Sequence, residues 1–334
     1  MTVTIRDVAR EAQVGVGTVS RVLNDSPAVS NHTRQKVKRT IANLDYAPNP
    51  NARRLSLGKT WQVAVVLPNL TFPSYVERLR GVQHALVDSE YDLVLYGISN
   101  PAQQDKYFAK LSTKSQVDGL LIISLPPNEQ QVDRFLESGV PAVLVDASHE
   151  KICHVVVDDI AGGKLATQHL IKLGHCKIAF LSDYLDTPFQ HSAEDRYIGY
   201  RQSLEDADIP YQENYKLTGE RGRRNALLLA KTLLTSDTPP TAIFAASDTQ
   251  AIGVLDAAKG LNIQVPDELS VIGYDDIRDS EYMNLTTISQ PLFDSGVTAT
   301  NLLLKTIASK QKEAFRHLLP IKLIERKTTA SPKH

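Results

Sequence analysis

From Trp61 onward the chain repeats one alternation, a short apolar run followed by an amphipathic stretch. The runs read QVAVVL, YDLVLYG, VDGLLIIS, VPAVLVD, CKIAFLS, TAIFAAS and LSVIGYD. Parallel strands need long crossover connections, and helical crossovers cover both faces of the sheet. The pattern therefore predicts an α/β chain with doubly wound parallel sheets. Seven or more such units exceed one comfortable sheet, so we expect two lobes divided near residue 160. The length allows it, because 334 residues with 42% hydrophobic content can fill several cores, and a single core stops growing near roughly 250 residues.

The first 46 residues follow a different rule. Ile5, Val8, Ala9 and Ala12 fall on one helical face, with Thr4 as N-cap and Asp7 three residues on. A break at Gln13-Val14-Gly15 precedes a second helix carrying Val19, Val22 and Leu23. A third opens at Ser30 and runs through Val37, Ile41 and Leu44. Each is too short to stand alone, so the three must share a small core. Residues 4 to 24 have a helix-turn-helix layout, in which the second helix enters the major groove of DNA. Thr18 and Ser20 can then hydrogen-bond phosphates or base edges, Arg21 can fork onto a guanine, and Val16 can pack on a thymine methyl. A helical hairpin also occurs as a purely structural bundle, so layout alone leaves both readings open.

Charge separates them. Residues 1 to 59 hold ten Lys/Arg against four Asp/Glu, a net +6, while the whole chain is at −1. A basic head on an acidic body fits a polyanion partner. After Tyr46-Ala-Pro, Asn49 reads as an N-cap, Pro50 as the first helical residue and Gly58 as a terminator, which predicts a short linker helix.

The strings TIRDVAREAQVGVGTVSRVLN, VSNHTRQKV and LDYAPNPNARRLSLG resemble the headpiece and hinge of the lactose/galactose repressor family. The likeness continues through HLIKLGHCKIAFL, EDRYIGYRQSL, ASDTQAIGVLDA, VPDELSVIGYDD and LTTISQP. This resemblance implies a helix-turn-helix headpiece over residues 1–48, a hinge helix over 49–59, and a two-lobed effector-binding and dimerisation domain over 60–328. The domain would have the periplasmic-binding-protein-like fold, and a polar tail, expected to be disordered, would follow. It also implies a repressor that binds a near-palindromic double-stranded DNA operator as a homodimer under control of a small-molecule effector. DNA contacts are expected from Thr4, Val16, Gly17, Thr18, Ser20, Arg21, Asn24 and Ser30, and from the hinge residues Asn49, Asn51, Ala52 and Arg53. Leu55 is expected to wedge into a minor-groove base step. Two positions depart from the family pattern. Gln13 stands where a turn glycine is usual, and Gly15 replaces a capping serine, a change that costs only a few tenths of a kcal/mol.

Ligands of open parallel sheets bind at the carboxyl ends of strands. Polar residues interrupt the apolar runs there at Asn69 to Pro73, Asp146, Arg196, Ser247-Asp248 and Asp275. The resemblance assigns effector contacts to Phe72, Asp146, Arg196, Arg221, Ser247 and Asp275, with Arg196 and Asp275 clasping the ligand. Carboxylate and guanidinium suit adjacent hydroxyls because each makes two parallel hydrogen bonds. The expected effector is a sugar, with an anionic sugar and a purine as alternatives. Asp248 reads as a helix cap, and Asp158, Asp159 and Asp276 as structural. Phe72 either stacks on a ring or plugs the cleft. The family often places an aromatic at position 221. Arg221 either meets an anionic group or belongs to a solvated loop.

Other classes find little support. No nucleophile elbow, phosphate-binding loop, dinucleotide turn or metal-ligand cluster is present, so neither an enzyme nor a cofactor or metal is expected. Runs such as Val63–Leu67 fall far short of the roughly 20 residues of a membrane span, and no membrane partner is expected. MTVTIRDVAREA has no apolar core of an export signal, which points to the cytoplasm and away from a transport receptor. Cys153 and Cys176 open strand-like segments without metal or redox spacing and are expected as buried or half-buried free thiols.

Overall fold

The computed structural model describes residues 3–46, 59–185, 191–309 and 314–333. The expected hinge helix, with Asn49, Asn51, Ala52, Arg53 and Leu55, lies outside them. The chain divides into two compact units, residues 1–60 and 61–334.

The first unit holds α1 (Ile5–Glu11), α2 (Val16–Leu23) and α3 (Asn31–Asn43). Val8, Ala9, Ala12, Val19, Val22, Val29 and Val37 form the shared core, with Ile5, Leu23, Ile41, Leu44 and Tyr46 packed around it. Asp7 closes the start of α1 by accepting from the Thr4 backbone N–H at 3.0 Å and the Thr4 hydroxyl at 2.6 Å. Gln13 takes the left-handed conformation, φ 52°, that a turn glycine would otherwise supply. The turn geometry is thus retained at the modest cost of a side chain with positive φ.

The second unit contains two six-stranded sheets. The first lobe orders its strands β11-β5-β4-β3-β1-β2, all parallel. These are β1 (Gln62–Leu67), β2 (Asp92–Gly97), β3 (Gly119–Ile123), β4 (Ala142–Val145), β5 (Cys153–Val156) and β11 (Arg316–Leu318). The helices α4 (Pro73–Leu86), α5 (Pro101–Leu111) and α6 (Glu129–Ser138) lie in its crossovers. The second lobe orders β12-β10-β9-β8-β6-β7. Its strands are β6 (Ile178–Asp183), β7 (Lys216–Gly219), β8 (Ala242–Ala245), β9 (Ser270–Asp275), β10 (Thr286–Ser289) and β12 (Lys322–Ile324), the last antiparallel to β10. Its helices are α7 (Asp159–Lys172), α8 (His191–Asp206), α9 (Arg223–Leu234), α10 (Asp248–Gly260) and α11 (Arg278–Tyr282). A last helix, α12 (Leu292–Ser309), returns to the first lobe and packs on α4, β3 and β4.

The division expected near residue 160 falls between β5 and β6, but the chain crosses between lobes twice more, after β10 and between β11 and β12. A cut at one point is thus corrected to three strands of connection, two of them set by short C-terminal strands with weak patterning.

The tail also differs from expectation. Thr328 is buried, its N–H···O neighbours on the sheet being Val271, whose N–H donates to the Thr328 carbonyl at 2.7 Å while the Thr328 hydroxyl donates to the Val271 carbonyl. Ala330 donates to Ser270 Oγ at 3.0 Å, and its carbonyl lies 2.9 Å from His175 Nε2. A polar segment orders here because its backbone finds partners along β9. Cys153 is half-buried as expected, whereas Cys176 is exposed.

Candidate functional site

In the headpiece, α2 turns Val19 and Val22 into the core and leaves Val16, Gly17 and Arg21 exposed, with Thr18 and Ser20 half-buried. A Cβ at Gly17 would meet nothing within 4 Å. Glycine in an exposed helix costs about 1 kcal/mol relative to alanine, and no internal contact explains it here. Thr4 gives both of its donors to Asp7, so they are committed to the cap. Ser30 caps α3, accepting from the Thr33 N–H at 3.3 Å. The side-chain oxygen of Asn24 is turned inward.

In the second unit, the polar strand ends converge on a cleft between the lobes. Ser124, Asp146 and Asp275 stand just past or at the ends of β3, β4 and β9 with φ of 53°, 55° and 118°. Such conformations cost on the order of 1–3 kcal/mol each and gather at functional sites. From the first lobe, Phe72 caps α4, Pro73 fixes its first turn, and Ser74, Tyr75 and Arg78 follow. From the second come Asp183, Ser192, Arg196, Arg221, Ser247, Gln250 and Asp275, with Gln290 in the connection after β10. They enclose a cavity of about 50 Å³, room for a few waters and far below the roughly 300–1,000 Å³ of a typical ligand pocket. Ser124, Asp146 and Ser192 also line a wider cavity of about 780 Å³ beside it, so a ligand of sugar size has room next to Asp146 but reaches Arg196 and Asp275 only if the lobes part.

What fills the cleft is a network of charges. Arg196 donates from Nε to Asp159 at 2.7 Å and from Nη1 to the Ala246 carbonyl at 2.7 Å. Its guanidinium lies 3.7 Å from the centre of the Tyr274 ring, with Asp275 3.9 Å away. Burial pushes the Asp159 carboxyl up to about 6 against the pull of Arg196. Asp275 is also raised by burial, more than Arg196, Arg78 and its Gln290 hydrogen bond can offset. Burial raises Asp146 too, but Arg78, Ser124, Arg196 and Ser192 together bring it below the usual carboxylate range. Ser124 donates to it at 2.5 Å, and Ser192 reaches it across the cleft at 3.1 Å.

Arg221 faces the cleft, which removes the solvated-loop reading. Its Nε is 3.2 Å from Asp183, it donates to the Tyr75 hydroxyl at 3.3 Å, and it stacks over Phe72 and Tyr75 at 4.4 and 5.3 Å. Phe72 therefore serves as the platform for an arginine of the other lobe. Ser247 lines the cavity and also caps α10, accepting from Gln250 N–H at 3.4 Å.

One aspartate departs from its sequence reading. Asp248 is not the cap. It is completely buried and accepts from Ile277 N–H, Ser280 Oγ and Thr287 Oγ1 at 2.6–2.9 Å, riveting α10 to α11 and β10. Asp159, read as structural, pairs with Arg196, while Asp158 does cap α7 by accepting from Ala161 N–H at 2.9 Å. Asp276 is structural, held by Arg326 at 2.7 Å.

Sequence reasoning passed over Tyr75, Arg78, Asp183, Ser192 and Gln290. One signal was available: Tyr75, Arg78, Val82 and Leu86 share the buried face of α4, and an arginine on an apolar stripe calls for a reason.

Among the described residues no helix is long and apolar enough to cross a membrane, and no group of His, Cys, Asp and Glu is arranged to hold a metal ion.

Comparison with known proteins agrees with this architecture over both units. Residues 4–49 match the model of the bacterial regulatory proteins of the lacI family, and residues 167–329 match a periplasmic binding protein-like domain. Catabolite control protein A of Priestia megaterium is 34% identical over 98% of this chain and 100% of its own length. The ribose operon repressor of Escherichia coli K12 is 34% identical over 97% of this chain and 98% of its own. Among solved structures, the Lac repressor dimer bound to operator and the anti-inducer ONPF aligns with a TM-score of 0.85 at 28% identity, covering 99% of this chain and 100% of the other. A headpiece, two lobes and relatives matched from end to end identify the chain as a member of the LacI family of bacterial transcription regulators.

Proposed function

We propose that this regulator binds a two-fold symmetric operator as a homodimer in the cytoplasm, and that a small neutral polyhydroxylated effector in the interlobe cleft sets its operator affinity. The observation that carries the effector class is the balance of the cleft. Arg196 is matched by Asp159 and Arg221 by Asp183, leaving Asp146 and Asp275 against Arg78. An anionic sugar would add charge to a wall that already carries one more carboxylate than guanidinium. A hydroxyl instead both donates to a carboxylate and accepts from a guanidinium. The aromatic surface near Arg221 is already covered by that arginine, which disfavours a stacked purine. Arg196 and Asp275 are the central effector contacts in this reading, flanked by Asp146, Ser247, Phe72 and Arg221.

On the DNA side, Arg21 reads a guanine and Val16 a thymine methyl. Gly17 lets the helix backbone approach the base edges closely, which explains a glycine that internal packing does not require. Thr18, Ser20, Ser30 and Asn24 set the head against the phosphates, and the hinge positions Asn49, Asn51, Ala52, Arg53 and Leu55 engage the minor groove. Apolar hinge wedges kink duplex DNA in that way.

Selection of bound fragments from genomic DNA, followed by retardation assays, tests the operator. Equal binding to selected and random duplexes at physiological salt contradicts it. A thermal-shift screen of neutral sugars, sugar phosphates and purine bases tests the effector class. Stabilisation by a purine or a phosphate alone contradicts it.

A further inference from the structure

We propose that Arg78 is a specificity-determining contact to the effector from the first lobe, donating from Nε to a hydroxyl oxygen of a neutral polyol. The inference rests on the cleft being the effector site and adds a residue and a chemical selection to it. Arg78 is 3% exposed, and it projects from the buried face of α4 into the same cavity as Arg196, Arg221 and Asp275. Its Nη2 donates to Gln290 Oε1 at 3.1 Å, and no group among the described residues accepts from its buried Nε. The nearest carboxylate oxygen, on Asp146, is 3.6 Å from Nη2 and too far for a direct hydrogen bond.

The contrast with Arg196 is informative. Both arginines are buried in one cleft, but Arg196 has a 2.7 Å carboxylate partner, a 2.7 Å carbonyl partner and an aromatic face beneath it. An arginine kept for the fold alone has no reason to leave a donor unmatched, because an unsatisfied buried charged group is strongly unfavourable. Gln290 gives the position a second function. It accepts from Arg78 and donates to Asp275 at 2.5 Å, so a donor from the first lobe and an acceptor from the second are held in a fixed relation. A ligand hydroxyl that accepts from Arg78 Nε can pass its own proton toward Asp146 or Asp275. An anionic oxygen at the same point has no proton to give and faces both carboxylates, and a deoxy analogue leaves Nε unmatched.

The test uses the full-length protein with Arg78→Met, Arg78→Lys and Asp275→Asn variants, and with ribose, xylose, glucose and galactose as probes. Without sugar, Arg78→Met loses its bond to Gln290 and the cation near Asp146, and is expected to melt below the wild type by less than half the fall of Arg196→Met. A fall equal to that of Arg196→Met shows a fold contact and overturns the proposal. This arm decides even if none of the four sugars stabilises the wild type, an outcome that counts against the effector class and not against Arg78. For any probe that does bind, Arg78→Met is expected to lose about 10- to 100-fold in affinity by calorimetry, the range of a hydrogen bond to a charged group. Arg78→Lys should recover part of it. Loss in Asp275→Asn with no loss in Arg78→Met overturns the role of Arg78 and leaves the cleft standing. No loss in either places the sugar elsewhere and overturns both.

Discussion

Arg196→Met removes one partner of a buried pair and keeps much of the side-chain volume, so the pairing can be weighed apart from packing. Breaking a buried ion pair by deleting one member costs about 3–5 kcal/mol. The Ala246 carbonyl loses its donor, and the Tyr274 ring loses the cation 3.7 Å above it. These losses overlap, and a total of about 4–6 kcal/mol follows. At about 2–4 °C per kcal/mol for a unit of this size, the melting temperature falls on the order of 10–20 °C. The pH dependence identifies the cause. Asp159 has a folded value of about 6, above its ordinary 3.8. Its contribution to stability is therefore complete below about pH 4, is lost as pH rises to about 6, and is constant above that. Without Arg196 the carboxyl moves higher still, and the window of loss extends upward. The deficit of the variant then grows above pH 6 by about 1.4 kcal/mol per unit until the new value is passed. Melting curves by circular dichroism from about pH 5 to 8 provide the readout. A second change, Asp159→Leu, should restore at least half of the loss at the alkaline end. A deficit under about 1 kcal/mol, or one that does not vary across this range, refutes the reasoning.

Gly199→Ala should destabilise by about 1–3 kcal/mol in thermal melts, because its Cβ would overlap the Ile160 carbonyl oxygen where α7 and α8 pack backbone to backbone. Arg21→Ala should weaken operator binding by about 1–3 kcal/mol and relax preference at one base pair, while the dependence of log affinity on log salt changes little. Competition with operators altered at single positions checks this. Truncation after Arg326 should lower the melting temperature by several degrees, since Thr328 and Ala330 together exchange five hydrogen bonds with Val271, Ser270 and His175. An unchanged melt would mean that the tail follows the sheet without supporting it.

The parts of this molecule that were legible in its sequence are those set by local periodicity. The face of Val8, Ala9 and Ala12, the Thr4–Asp7 cap and the seven apolar strands each depend on residues a few positions apart. The strand-end rule then located Asp146, Arg196, Ser247 and Asp275 on the cleft without knowledge of the packing. What remained hidden depends on distant partners. Arg78 meets Gln290 across 212 residues, and no local pattern encodes that meeting. Arg316–Leu318 and Lys322–Ile324 are three-residue strands at sheet edges, too short to alternate detectably. The tail has the composition of a disordered segment, and its order comes from backbone partners that composition does not register. Asp248 shows the same limit at one residue. Position and residue type both favour a cap, yet Ser247 supplies it, and three donors from Ile277, Ser280 and Thr287 draw the carboxyl inward.

Arg221 illustrates how a change of residue type alters the logic of a site and not only its strength. An arginine at a cleft usually suggests an anionic ligand, and that was one of the two sequence readings. Here its charge is met by Asp183 within its own lobe, while its flat face rests on Phe72 and Tyr75 of the other. The residue thereby joins the lobes without the ligand, as do Ser192 to Asp146 at 3.1 Å and Arg278 to Glu77 at 3.2 Å. Each such link stabilises the closed arrangement by a modest amount, about 0.5–2 kcal/mol for a partly exposed cation–π contact and less for an exposed pair. An effector shifts the lobes only through a difference in its affinity for the open and closed states. With closure already supported by protein contacts, an effector that bridges the lobes needs little further free energy to favour the closed form. One too large for the cleft must instead overcome these same links. Weakening them by Arg221→Ala therefore moves the two kinds of ligand in opposite directions, lowering the affinity of the bridging ligand and raising that of the bulky one.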